Sequence, residues 1–517
     1  MRRSVVRLLS ARLVLDVATM AVFFRIASVL ARRVGYSPLS YDERFYIYGG
    51  YSILHGEVPF KDFQNLKGPL LSMSEAVGIK LFGLEHQGYR ELPLAMAIGS
   101  MTLVVGALLQ RGVYRLLALG FGLLIGSIYL DPGFHDSSLN DAESFVLGYF
   151  FAGLACLLVC ARSRAQRGFW FFGGAFLCAA MLVKENFLPV SVATWLMFMF
   201  APRSGPRRPY ALSYAVWTVG GALVTGLGVA GYLAAKGGFV PYVELIFALP
   251  KYAKNYCVQI GQFTPAGNFL DDRKLEWSRL KDGLFNLSHL VPWTPFILTT
   301  VILARRKNLL FVLLAFLGFS ASLVVISIGH CYWKHYFALG ATGLALLLIP
   351  GIDAICAEPR DARHRAWIGA AMSSAAFFML LPTYLDQEPK HPEPVVEAVP
   401  ARYSQAIEQY SHPNDFILTT GTPDLYFLTG RLGSHETNCF VDELLDMYPG
   451  NTDTERVEKM RAMLERKRPK VVVLDTSPEA HQPRSVRTVG ALVKPYLSDH
   501  HYVSVSDGVF VRPDLAH

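Results

Sequence analysis

Asp42 and Glu43 stand side by side just after the first long apolar run, at the head of the stretch Tyr41–Leu84. A carboxylate placed there can take a proton from an attacking hydroxyl. Adjacent residues on a helix point about 100° apart, so the two acids cannot serve one atom; Asp42 is the leading candidate base, with Glu43 beside it. A structural use is also open, because an acid behind Ser40 at a helix start favours the helix dipole. Lys67 precedes Gly68-Pro69, where the chain turns. Its ammonium is either a point charge for a phosphate or a group that snorkels to lipid headgroups, and Arg90 has the same two uses. Glu143 ends the run DPGFHDSSLNDAE at the start of an apolar segment, where an ionisable group is costly and commonly functional. His335 and Tyr336, within GHCYWKHYF, enter another apolar run as donors to a ligand or as part of an interfacial belt. Lys184 and Glu185 interrupt a third run; they are expected to pair with each other at the surface, with Lys184 a further candidate ligand donor. His135 and Asp136 lack metal-ligand spacing and read as polar loop residues. A base together with several cations is what a hydroxyl needs to displace a phosphate leaving group.

The composition says what must hold these residues. Of 517 residues, 52% are hydrophobic and 17% charged, below the roughly 25% typical of soluble domains. Apolar runs predict spans near 13–34, 89–109, 113–130, 142–161, 168–183, 187–201, 210–235, 290–304, 308–328, 335–350 and 366–384. That makes about eleven, several shorter than the ~20 residues of an untilted crossing. The 168–201 region is expected as two short helices, because Lys184-Glu185-Asn186 interrupts it and Pro189 follows. The start, MRRSVVRLLSAR, has the basic end of a signal peptide, but the apolar run behind it holds Asp16 and Arg25 and continues to Val34, which predicts an uncleaved first span. The seven cysteines show no metal spacing; one disulfide among Cys257, Cys331 and Cys439 is possible in more than one pairing.

Basic residues orient the spans. Arg2, Arg3, Arg7 and Arg12 precede the first; Arg111 with Arg115, then Arg162, Arg164 and Arg167, then Arg203, Arg207 and Arg208 fall at every second loop after it. Arg305, Arg306 and Lys307, and finally Arg360, Arg363 and Arg365, continue the alternation. The rule that places such residues inside puts the N-terminus in the cytoplasm. The net charge of +8 therefore reflects topology, and no nucleic-acid partner is expected. The intervening loops, which carry Asp42, Lys67, Glu143, Lys184 and His335, face outward, as an enzyme with an extracytoplasmic site requires. The loop from Tyr242 to Trp277 is long and aromatic and would suit a lid.

Beyond Leu385 the composition becomes that of a soluble domain, entered through Pro389, Pro392, Pro394 and Pro400. A helix over Tyr403–Tyr410, a strand over Asp415–Thr420 and a polar stretch through Asn438 come first. A helix over Asp453–Lys467, a strand over Val471–Asp475, a helix over Ser485–Tyr496 and strands near Tyr502 and Val509 predict a small α/β domain. The expected organisation is thus a membrane-embedded catalytic domain over 1–384, whose first outer loop is 41–88, and a soluble α/β domain over 385–517.

Asp42-Glu43 and an aromatic-rich helix, then Gly56-x-x-Pro59-Phe60-x-Asp62, Lys67-Gly68-Pro69-Leu70 and Leu81-Phe82-Gly83, resemble the first extracytoplasmic loop of GT-C glycosyltransferases. Protein O-mannosyltransferases and lipid A aminoarabinose transferases are the nearest groups. The resemblance implies an all-α polytopic bundle, a polyprenyl-phosphate sugar donor and an extracytoplasmic acceptor that is a lipid, a glycan or a protein. It implies Asp42 as the catalytic carboxylate, Lys67 at the donor phosphate, and Glu143 on a sugar hydroxyl or, with Asp42, on a divalent cation. It further implies His335 on the phosphate or sugar; Gly421-Thr422-Pro423-Asp424-Leu425-Tyr426 and Thr429-Gly430-Arg431 are similar to C-terminal domains of bacterial members. No cofactor is required beyond that candidate cation, and an in-line displacement would invert the anomeric carbon. The expected place is the bacterial inner membrane. The rivals are a lipid or glycan flippase, against which stands the lack of an internal repeat, and a ligase or polymerase using a diphosphate-linked glycan.

Overall fold

The structure, a computed structural model, describes residues 2–35, 41–63, 67–129, 141–160, 167–200, 207–247, 309–327, 336, 338–357, 401–420, 424–434, 453–474 and 493–515. The chain forms two compact units. The first comprises Met1–Pro38, Pro93–Gly228 and Asn268–His391; the second comprises Leu39–Leu92, Val229–Gly267 and Pro392–His517. The segment Leu39–Leu92 thus groups with the C-terminal segment, a division that chain order alone does not suggest.

The first unit is helical. Its helices are α1 (Arg2–Gly35), α4 (Glu91–Gln110), α5 (Arg115–Tyr129), α6 (Ala142–Cys160), α7 (Arg167–Val183), α8 (Leu188–Met199), most of α9 (Arg207–Lys236), α10 (Leu309–Ser327) and α11 (Gly340–Ala357); α2 and α3 belong to the second unit. These fall on the expected apolar runs, while the runs at 290–304 and 366–384 lie outside the described residues. Among the described residues four helices, over Gly88–Gln110, Ala142–Val159, Ala211–Lys236 and Leu309–Ile326, are long and apolar enough to cross a membrane. Helix α6 is apolar around its circumference and forms the centre of this unit: Phe145, Val146, Leu147, Phe150, Phe151 and Leu154 are fully buried. It starts where Asp141 Oδ1 accepts from Ser144 N at 2.6 Å, a cap that satisfies a free helix amide. Helices α1 and α9 instead expose Leu13, Val14, Leu15 and Val17, and Leu212, Val216, Leu223 and Leu227. Such apolar side chains are suited to lipid.

Ion pairs join helices of this unit. Arg111 places Nη2 at 2.7 Å from both oxygens of Asp353. Arg115 donates Nε to Asp16 at 2.7 Å, which gives the charge expected within the first span a partner.

The second unit contains α2 (Tyr41–Leu54), α3 (Pro69–Phe82), a 3-10 turn over Glu85–Arg90, a short helix at 239–247 and an α/β segment. Helices α2 and α3 pack closely because α2 carries Gly49-Gly50. A Cβ on Gly50 would stand 2.7 Å from the Ala76 backbone nitrogen. The α/β segment holds α12 (Ala401–Tyr410), β1 (Phe416–Thr420), α13 (Asp424–Thr429), β2 (Leu432–Gly433), α14 (Asp453–Lys467), β3 (Val471–Leu474), a helix at 493–499, β4 (Val503–Ser506) and β5 (Val509–Val511). The sheet order is β2-β1-β3-β5-β4. Strand β1 runs parallel to β2 and β3, and β5 runs antiparallel to β3 and β4. Strand β3 is apolar and buried along its length, as a central strand covered on both faces must be. Leu418, Leu464, Val472, Leu474, Val493, Tyr496 and Leu497 make up its core.

Candidate functional site

In the second unit, the first turn of α2 uses its acids in different ways. Asp42 is exposed and accepts from Tyr46 Oη, one turn on, at 3.2 Å. Glu43 is fully buried, and Arg90 grips it in a fork, Nε to Oε1 at 2.5 Å and Nη2 to Oε2 at 2.6 Å. Such a bidentate pair is strong and directional. Glu43 and Arg90, named from sequence as candidates for substrate chemistry, are thus paired with each other. Arg44 points a further step around the helix, with Nη1 3.0 Å from Oδ2 of the fully buried Asp424. Burial pushes the Asp424 carboxyl up to about 6; Arg44 opposes that rise and Glu43 adds to it.

The turn after α2 accounts physically for its motif. Gly56 has φ +86°, open to glycine at no steric cost, and Phe60 holds φ 67° in spite of its side chain. Asp62 Oδ2 accepts from Val58 N at 3.0 Å and closes the turn. Phe60 is buried, its ring 4.8 Å from that of Tyr242. The rest of the expected lid, residues 248–277, lies outside the described residues. Pro69 opens α3 behind Gly68, where its missing amide costs nothing. Lys67 sits just before that opening and is half-buried.

A second buried network reaches this turn from the C-terminal segment. Lys467 Nζ, at the end of α14, donates to Glu57 Oε1 at 2.8 Å, to the Asp62 carbonyl at 3.3 Å and to the Gly433 carbonyl at 3.1 Å. Tyr48 Oη accepts from Gly433 N at 2.8 Å and donates to Glu57 Oε2 at 3.4 Å. Its ring lies 4.9 Å from that of Tyr426. Burial, then Glu57, pushes the Tyr48 phenol well above its usual value, which keeps it a neutral donor.

In the first unit, Glu143 opens α6 and Lys184 follows α7; both are buried and the two form an ion pair. Lys184 Nζ also stands 3.6 Å from the centroid of the Tyr336 ring. The expected pairing of Lys184 with Glu185 is thus corrected. Burial decides it: an ammonium 6% exposed needs a partner inside the protein, and Glu143, 1% exposed, has the same need. His335 lies outside the described residues, as do His135 and Asp136. Among the described residues no three His, Cys, Asp or Glu gather as metal ligands would.

Sequence reasoning named Asp42, Glu43, Lys67, Arg90, Glu143, Lys184 and Tyr336, and it missed Arg44, Tyr48, Glu57, Asp424 and Lys467 as partners. The Gly421–Tyr426 motif carried the only advance signal, since it contains Asp424.

No protein-family model and no curated protein sequence matches the chain. Two crystal structures of ArnT from Cupriavidus metallidurans, one in the apo state and one bound to undecaprenyl phosphate, match at a TM-score of 0.51 and 16% identity, over 98% of this chain and 99% of the other. An Archaeoglobus fulgidus oligosaccharyltransferase tethered to an acceptor peptide matches at a TM-score of 0.42 and 12% identity, over 95% of this chain and 74% of that one. The chain therefore shares the fold of the ArnT structures.

Proposed function

We propose that this protein is an integral membrane glycosyltransferase that moves a sugar from a polyprenyl-phosphate carrier to an extracytoplasmic acceptor, with Asp42 as general base. One observation carries the reading: in a turn that spends Glu43 and Arg44 on buried ion pairs, Asp42 keeps an exposed carboxylate. The shared fold with ArnT, which has been crystallised bound to undecaprenyl phosphate, supports a lipid-phosphate carrier.

In this reading the acceptor hydroxyl gives its proton to Asp42 while its oxygen attacks the anomeric carbon. The bond from that carbon to the phosphate oxygen breaks, the lipid phosphate leaves, and the carbon is inverted. Lys67 meets the growing phosphate charge. In the helical unit Lys184, beside the Tyr336 ring, neutralises Glu143. The alternation of basic loops supports an outward-facing site, where a flipped lipid donor arrives and nucleotide sugars do not. The membrane spans belong to residues 1–384, and the segment from 385, which groups with Leu39–Leu92, serves acceptor use.

The test supplies purified protein with an extracted acceptor and either polyprenyl-phosphate sugars or nucleotide sugars. Transfer from the lipid donor with release of lipid monophosphate is expected. Transfer from a nucleotide sugar with no polyprenyl lipid present would overturn the reading, and release of lipid diphosphate would point to the ligase class.

A further inference from the structure

Asp42, Glu43 and Arg44 occupy one helical turn, and successive side chains leave a helix about 100° apart. Two of those three directions are tied. Glu43 is held by Arg90, from the far end of the same loop region, and Arg44 meets Asp424, the first residue of α13. Gly49-Gly50 packs the middle of α2 on α3; at the first turn, two pairs at different angles restrict rotation more than one would. The third direction belongs to Asp42, and Tyr46, four residues on and on the same face, holds its carboxylate. The other end of α2 is fastened separately by Tyr48, Glu57 and Lys467, so the pair at Arg44 acts on the first turn.

We propose that Asp424 is a positioning residue: by holding Arg44 it fixes the rotation of α2 and so aims Asp42 at the acceptor. This rests on the reading of Asp42 as the base. The C-terminal segment then contributes to the chemical step without touching a substrate. Asp424 and Arg44 are both buried, and among the described residues the carboxyl oxygens of Asp424 and Nε of Arg44 have no hydrogen-bond partner, so the contact is made by charge where water has little access.

The experiment uses the full-length protein in lipid nanodiscs. Asp424→Asn keeps the shape and removes the charge. It should lower kcat roughly tenfold or more, with KM for the lipid donor within about twofold, because a misaimed base weakens the transition state and not donor binding. Asp424→Glu should recover part of the loss. If Asp424→Asn fails to fold, the neutral pair Arg44→Gln with Asp424→Asn removes the stranded guanidinium and should itself show the roughly tenfold loss of kcat. A second readout is independent of turnover. With Asp42→Cys as a probe, adding Asp424→Asn should change the rate of labelling by an impermeant thiol reagent about threefold or more, since the first turn rolls. An unchanged kcat per folded molecule with an unchanged labelling rate would overturn the proposal. Normal transfer by Asp42→Asn would instead remove the base assignment, and the labelling arm would still decide whether Asp424 sets the turn.

Discussion

Replacing Lys184 by Met removes the cation from a buried ion pair. Glu143 is 1% exposed and pairs with the Lys184 ammonium, so the variant takes a buried positive charge from beside a buried carboxylate in the helical unit. Breaking one side of a buried pair costs about 3–5 kcal/mol, whereas replacing both sides by apolar groups of similar volume is neutral or stabilising. The contact of Lys184 with the Tyr336 ring adds about 0.5–2 kcal/mol that the Met thioether only partly replaces. Lys184→Met is therefore expected to lose about 3–6 kcal/mol, and Glu143→Leu a similar amount for the stranded ammonium. The double variant should come back to within about 2 kcal/mol of the parent. Cys156 and Cys178, free thiols in α6 and α7, supply the assay: a thiol-reactive fluorophore reports their exposure as purified protein is heated in lipid nanodiscs. Losses that add in the double variant, or single variants within about 1 kcal/mol of the parent, would refute the argument that burial makes this pair.

Three further outcomes are expected. Asp424 titrates near 6 in the folded protein, above its ordinary range, so the folded state holds the extra proton and stability should fall as pH rises from 4 to 7. Asp424→Asn should remove on the order of 3 kcal/mol of that slope in denaturant titrations, and an unchanged slope would contradict the assignment. Lys67→Ala should weaken binding of the polyprenyl-phosphate donor by at least roughly tenfold, measured by equilibrium binding, while leaving the unfolding midpoint unchanged. For topology, Lys61→Cys should react with an impermeant thiol reagent on intact cells and Arg12→Cys should not; both side chains are exposed, so access alone decides.

Much of the helical unit could be read in advance because long apolar runs report themselves without knowledge of neighbours. The turn chemistry of the first loop was legible for a similar reason: Gly56, Asp62 and Pro69 act within a few residues of their own positions. The short elements α13 and β2 were read as a polar stretch. Helix α13 is six residues long, and β2 has two residues whose pairing to β1 defines it as a strand. Partners were the least visible. Lys467 meets Glu57 across 410 residues, and Lys184 passes over its sequence neighbour Glu185 for Glu143, 41 residues away. One sequence records that these charges exist, but which of them become buried together is decided by packing.

Asp42→Asn tests the central claim most directly. The side chain is exposed, so the substitution strands no buried charge, and it keeps the size while removing the proton acceptor. Turnover with a polyprenyl-phosphate sugar and a saturating acceptor should fall at least ~10²-fold, with donor affinity and thermal unfolding unchanged. Turnover close to that of the parent would contradict the account.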